Sequence, residues 1–151
     1  MSTAPPRATL VATLTAPPSA GELTALAGAA DWLEVRADLV GDLTPAALRE
    51  RFPGGLLYTL RSRDEGGRGD GGPARRGARL AAAAAAGYDL VDLEGARDGE
   101  PELLAEVPAE RRLVSWHGGT ASPADFAALK ARFDALAEIP ARLYKLALAV
   151  V

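Results

Sequence analysis

Lys145 lies in Ala-Arg-Leu-Tyr-Lys-Leu-Ala-Leu-Ala-Val-Val, residues 141 to 151, an apolar stretch that contains no acidic residue. Strand alternation puts Leu143, Lys145, Ala147 and Ala149 on one face and Tyr144, Leu146, Leu148 and Val150 on the other. A strand apolar on both faces is expected to be buried on both. An amine there must neutralise, find a partner or line a cavity, because an isolated buried ammonium is costly. Burial disfavours the charged form of an amine, and the neutral form is the one that attacks a carbonyl. The ordinary alternative is a lysine that snorkels from a strand end or meets a carboxylate from elsewhere in the fold.

His117 is the single histidine of the chain. Once an amine has formed an iminium with a ketone, the adjacent carbon is acidified, and an imidazole can take that proton and pass one to a leaving group. Such a ring needs a carboxylate to orient it, and Glu65 is the candidate. Arg36 and Arg61 suit a carboxylate or polyhydroxy substrate through bidentate hydrogen bonds. Each residue also has a plain reading: Glu34 pairing with Arg36 or a neighbour, and a lone histidine held for structure. One histidine and no cysteine leave no multi-histidine or thiolate metal site within the chain, and no disulfide framework.

These residues must be brought together by the elements between them. Residues 8–15 read as a β-branched strand closed by Pro17 and Pro18, followed by a helix from Ala20 to Ala30 capped by Ser19. Trp32 to Leu39 alternates as a strand, with Trp32, Glu34, Arg36 and Asp38 on one face. Thr44 and Pro45 open a short helix, Leu56 to Arg61 is a third strand, and residues 62–73 form a loop. Its Glu65 to Gly72 run is glycine-rich but too long and loose for a phosphate cradle. A helix from Ala74 to Ala86 ends at Gly87, and Tyr88 to Glu94 is the fourth strand. A further helix, the strand Leu113 to His117, a helix from Pro123 to Ala137 capped by Ser122, and the lysine strand complete the alternation.

Alternating strands and helices with short connections argue for a parallel sheet covered by helices. An open doubly wound sheet would spread polar strand ends along an edge, whereas a (β/α) barrel gathers them at one mouth. Glu34 and Arg36, Arg61, Asp92 and Glu94, Ser115 and His117, and Lys145 all fall at or near strand ends, which favours the barrel. The expected class is α/β, a (β/α)8 barrel type truncated to about six parallel strands, with residues 1–151 as a single incomplete domain. Hydrophobic residues make up 48% and charged residues 25%, ordinary for a globular protein. A net charge of -3 gives no footprint for nucleic acid. The longest apolar run, Leu80 to Ala86, is far shorter than the roughly 20 residues of a membrane span. The first residues lack the apolar segment of a signal peptide, so a cytoplasmic location is the default expectation.

Glu-Val-Arg-Ala-Asp at 34–38, Leu-Tyr-Thr-Leu-Arg-Ser-Arg-Asp-Glu-Gly-Gly at 57–67, Val-Asp-Leu-Glu at 91–94, Val-Ser-Trp-His at 114–117 with Ser122-Pro123 beyond, and Lys145 occur in that order. Together they resemble type I 3-dehydroquinate dehydratase, the Schiff-base enzyme of the shikimate pathway in aromatic amino acid biosynthesis. The resemblance implies a hydro-lyase that converts 3-dehydroquinate to 3-dehydroshikimate without metal or cofactor. It implies that Lys145 forms the imine with the C3 ketone and that His117 moves the protons, paired with Glu65. Glu34, Arg36 and Arg61 match substrate-binding positions, and Asp92 and Glu94 would line the site. Ala12 stands where some members have a serine, and Gly118 where an acidic or amide residue is common. Substrate-binding groups that the family carries after its lysine strand find no counterpart in residues 146–151.

A non-catalytic, truncated or split remnant that needs another chain is therefore the alternative expectation. The exposed apolar edges of an unclosed barrel would invite a homodimer or a complementing chain. A third reading, an aldolase-like lysine barrel, accounts for the lysine but not for the Glu-x-Arg and Arg-x-x-x-Glu-Gly-Gly pieces.

Overall fold

The computed structural model describes residues 7–121 and 126–150. Six strands form one parallel sheet in sequence order: β1 (Val11–Leu14), β2 (Trp32–Arg36), β3 (Gly55–Thr59), β4 (Leu90–Glu94), β5 (Arg112–Ala121) and β6 (Leu143–Val150). Parallel neighbours need a crossover, and the longer ones here are α1 (Ala20–Ala27), α4 (Pro73–Ala86), α5 (Pro101–Glu106) and α6 (Phe126–Ala137). Two short helices, α2 (Ala37–Val40) and α3 (Pro45–Arg49), share the passage from β2 to β3.

The sheet is curled. Three strands separate β2 from β6 in sheet order, yet the charge of Lys145 on β6 acts on Glu34 of β2. At the other end the Arg142 guanidinium lies 5.7 Å from the centroid of the Trp32 ring. This is a fold of the (β/α)8 barrel type, present as six parallel strands with helices outside.

Strand parity then divides the side chains between two environments. Leu33 and Val35, Leu56 and Tyr58, Val91 and Leu93, and Val114 point outward and meet Leu23, Leu48, Phe52, Leu80, Leu103 and Leu136 from the helical layer. Tyr144 and Leu146 of β6 pack against the same core, as the alternation of that strand requires. Each fully buried aliphatic side chain contributes about 1.5–3 kcal/mol relative to exposure, so this layer supplies most of the driving force. The inner face is different. Leu57, Leu90 and Leu113, with Trp32, close its amino-terminal end, and polar residues occupy the rest.

The local signals act as their chemistry dictates at most boundaries. Ser19 and Glu22 form a reciprocal capping box at the start of α1. That helix stops at Ala27, earlier than the expected Ala30. The main departure is the strand expected over 32–39, which ends at Arg36, with Ala37 to Val40 helical. Asp38 therefore leaves the strand, drawn into a bidentate pair with Arg36 at 2.8 Å. β5 runs past His117 to Ala121 after a register shift, where Gly118 and Gly119 adopt φ of 154° and 68°, values that L side chains rarely take. The expected Ser122 cap and Pro123 start of the last helix lie outside the described residues.

β1 and β6 each have one strand neighbour among the described residues. Leu10 and Val11 at one edge and Leu143 at the other are about half exposed.

Candidate active site

Register sets the site. Glu94 of β4 pairs with Ser115 of β5, and Ser115 pairs with Lys145 of β6, so the lysine and the serine stand side by side on the inner face. His117 lies two residues further toward the carboxyl end of β5. Lys145 is half-buried, and its charge reaches two carboxyl groups, Glu34 and Asp92.

Glu34 is 7% exposed. Burial alone would raise its pKa, but it receives the Thr13 hydroxyl at 2.7 Å and the Thr59 hydroxyl at 2.7 Å. Those bonds, with the charges of Lys145 and Arg36, outweigh desolvation and hold the carboxyl below its ordinary value. Glu34 is thus favoured as an anion, within reach of the charge of Lys145. Its direct hydrogen bonds go to the two threonines rather than to Arg36.

Glu65 comes from a 3₁₀ turn, Arg63–Glu65, just beyond β3. Its Oε2 lies 3.1 Å from His117 Nδ1 and accepts the His117 backbone N–H at 3.1 Å. A carboxylate on Nδ1 selects the tautomer that leaves Nε2 as the proton-accepting edge. One oxygen therefore fixes both the backbone and the ring of the histidine.

Arg61 lies in the wall of the site, paired with several acidic and hydroxyl groups. Its side chain is 4% exposed. Nη2 donates to Asp92 at 2.6 Å, and Nη1 faces Glu65 at 2.9 Å, Ser115 at 3.0 Å and Glu94 at 3.2 Å. The guanidinium binds the wall of the site together, joining residues of β4, β5 and the 3₁₀ turn. Asp92 accepts the Ser115 hydroxyl at 2.5 Å as well. Complete burial nevertheless raises its pKa, partly offset by Arg61, the Ser115 bond and Lys145. Glu94 accepts the Ser62 backbone N–H at 2.8 Å, while its other oxygen faces Arg97 Nε at 3.4 Å and Arg76 at 3.5 Å. Arg36, by contrast, pairs with Asp38 alone among the carboxylates of the described residues and keeps 22% of its side chain exposed.

Beside His117 lies a cavity of about 300 Å³ lined by Glu65, Glu94, Arg97 and Trp116. No group of three or more His, Cys, Asp and Glu side chains is arranged to hold a metal among the described residues. An amine, an imidazole–carboxylate pair and a partly open guanidinium thus share one concave face, the equipment for imine chemistry next to a proton shuttle.

The profile of the type I 3-dehydroquinases matches residues 10–150. The chain belongs to the type I 3-dehydroquinase family. Solved structures agree at the level of the fold. The type I 3-dehydroquinate dehydratase of Clostridium difficile, solved with covalently modified comenic acid, superposes with a TM-score of 0.70 at 20% identity over 93% of this chain and 62% of that one. The Enterococcus faecalis 3-dehydroquinate dehydratase gives 0.71 at 21% identity, over 94% and 66% respectively. The Geobacillus kaustophilus enzyme gives 0.66 at 22%, over 93% and 62%. The chain thus spans a little under two thirds of the length of these structures. No curated protein matches the chain by sequence.

Within this family member the structure brings Lys145, Glu34, Asp92, Glu65 and His117 to one mouth, with Arg61 and Glu94 in its wall and Arg36 at its rim. Several supporting residues escaped the sequence reading. Thr13 and Thr59 were legible from parity: Thr13 pairs with Glu34, and Thr59 stands two residues before Arg61. Arg76 was legible too, because it shares the buried stripe of α4 with Leu80, Ala83 and Ala84. An arginine on an apolar stripe needs a buried partner, and Asp98 accepts it at 2.7 and 2.6 Å.

Proposed function

We propose that this chain carries the hydro-lyase reaction of its family, dehydrating 3-dehydroquinate to 3-dehydroshikimate in aromatic amino acid biosynthesis. The observation that supports it most is the Glu65–His117 pair at 3.1 Å on the same concave face as Lys145, an inward-facing lysine on an otherwise apolar strand. The neutral Lys145 amine adds to the C3 ketone, and loss of that oxygen as water leaves an iminium. His117 Nε2 takes a proton from C2, giving the enamine. The same imidazolium then protonates the C1 hydroxyl, which leaves as water while the double bond forms between C1 and C2. Hydrolysis of the imine takes up one water, offsetting the one released when the imine formed, and frees Lys145, so the net change is loss of one water.

Glu65 holds the ring and the backbone of His117 so that Nε2 faces the substrate. Glu34 and Asp92 offer hydrogen-bonding groups to the substrate hydroxyls and to the lysine nitrogen. Arg36, the exposed member of the two site arginines, is the cation for the substrate carboxylate. Arg61 acts by holding Glu65, Asp92 and Ser115 in place.

The test is turnover of 3-dehydroquinate by the purified chain, followed through the absorbance of the conjugated product. Wild-type protein is expected to turn over, and His117→Ala to lose about 10²- to 10⁴-fold in kcat. A folded wild-type chain without turnover would contradict the proposal and favour a second reading, a chain that needs a complementing polypeptide. That reading draws on one observation: the chain covers 62–66% of the solved relatives.

A further inference from the structure

Asp38 touches none of the groups assigned to bond making, yet its side chain is fully buried. It accepts Arg36 Nε on Oδ1 and Arg36 Nη2 on Oδ2, both at 2.8 Å. The same oxygens receive two backbone N–H groups, that of Arg61 at 3.4 Å and that of Arg68 at 3.0 Å. Burial alone would raise its pKa, but these donors and the charge of Arg36 hold it below the ordinary value.

The Arg68 N–H belongs to a segment folded back over the end of β3. Ser62 forms a parallel bridge with Gly69, the Gly67 N–H donates to the Ser62 carbonyl at 2.7 Å, and the Gly69 N–H donates to the Arg61 carbonyl at 2.8 Å. A Cβ on Gly67 would collide with the Arg61 carbonyl, and one on Gly69 would lie 2.6 Å from it. The glycine run is thus a clamp on Arg61, and Glu65 rides inside the fold-back, between Ser62 and Gly67. A carboxylate at the end of β2 closes this clamp from outside with the same two oxygens that aim Arg36.

We propose that Asp38 is a positioning residue that couples the two sides of the mouth: it orients Arg36 and, through the Arg68 N–H, fixes the 62–69 loop that presents Glu65 to His117. The inference rests on the reaction assigned above for its kinetic consequence, but not for its structural one. Removing the carboxylate frees Arg36 to turn toward Glu34 and loosens the loop. Displacements of about 1 Å in catalytic groups can cost on the order of 10²-fold in rate.

The experiment compares Asp38→Ala and Asp38→Asn with the wild-type chain by NMR without ligand and by steady-state kinetics. His117 is the only histidine, so its ring signals are unambiguous. Asp38→Ala is expected to move the His117 ring and backbone amide signals, although nothing of Asp38 contacts that residue. Asp38→Asn, which keeps one acceptor oxygen but no charge, is expected to move them less. In Asp38→Ala KM should rise about tenfold and kcat fall about ten- to hundredfold. If a folded variant shifts the signals of Arg36, Arg61 and Arg68 while those of His117 stay in place, Asp38 acts only locally and the proposal fails. Should Asp38→Ala not fold, Asp38→Asn decides by the same criterion. A wild-type chain without turnover would sink the assigned reaction alone, since the His117 signals still decide whether Asp38 places the loop.

Discussion

The ends of β3 and β4 and the ends of β2 and β6 are built from the same residue types to opposite effect. At β3 and β4, Arg61 is 3% exposed, and its two terminal nitrogens meet Asp92, Glu94, Glu65 and Ser115. At β2 and β6, among the described residues, Arg36 has one carboxylate partner and stays partly exposed, and Lys145 is half-buried, with its charge felt by Glu34 and Asp92. One region is a closely paired frame, and in the other the cations have fewer charged partners among the described residues.

Substitutions should separate the two regions. Arg61→Met strips the cation from a buried group of carboxylates, and breaking such a pair typically costs about 3–5 kcal/mol. Chemical denaturation is expected to show a loss of that size, with activity lost through the fold. His117→Ala should do the reverse. His117 is partly exposed and bonded to Glu65 alone among side chains in the described residues, so its removal should change stability by less than about 1 kcal/mol while abolishing the proton shuttle. Equal destabilisation by both substitutions would erase the distinction.

The smallest effect is in the pH dependence of stability, and it carries opposite signs in the two regions. Glu34 and Asp38 are held below their ordinary values of 4.5 and 3.8. Each contributes stability that is fully present above those values and is lost as pH falls through the lower folded ones. Asp92 is raised above 3.8, so the fold favours its protonated form, and its contribution improves as pH falls through that raised value. Glu34→Gln is therefore expected to flatten the loss of stability in acid, and Asp92→Asn to steepen it. Denaturant titrations at a series of pH values would show both slopes, and identical slopes in the two variants would refute the assignment.

Much of this architecture was legible before any coordinates. Period-two alternation in β2 and β6 already separated Glu34, Arg36 and Lys145 from the apolar side, because a strand with a buried outer face cannot change parity. The parallel sheet followed from the alternation of strands and helices with short connections. Asp38 was misread as strand because alternation continues through it in sequence, whereas its carboxylate is satisfied by N–H groups of the 61–68 region that no local pattern reveals. The partners of Arg61 were hidden for the same reason, since they span residues 65–115. Thr13 and Thr59 show the opposite failure, a signal that was present and weak, because threonine in a strand is ordinarily there for its β-branch.

The central claim is that Lys145 is the nucleophile of a formed site. The chain has two lysines, and the other, Lys130, is exposed on α6 and paired with Asp134 at 2.6 Å, so the protein carries its own control. Borohydride reduction in the presence of 3-dehydroquinate, followed by intact mass and peptide mapping, tests the claim directly. The expected result is one stoichiometric adduct on Lys145 that is absent from Lys145→Ala. Folded protein that yields no adduct, or labels Lys130 and Lys145 alike, would contradict it.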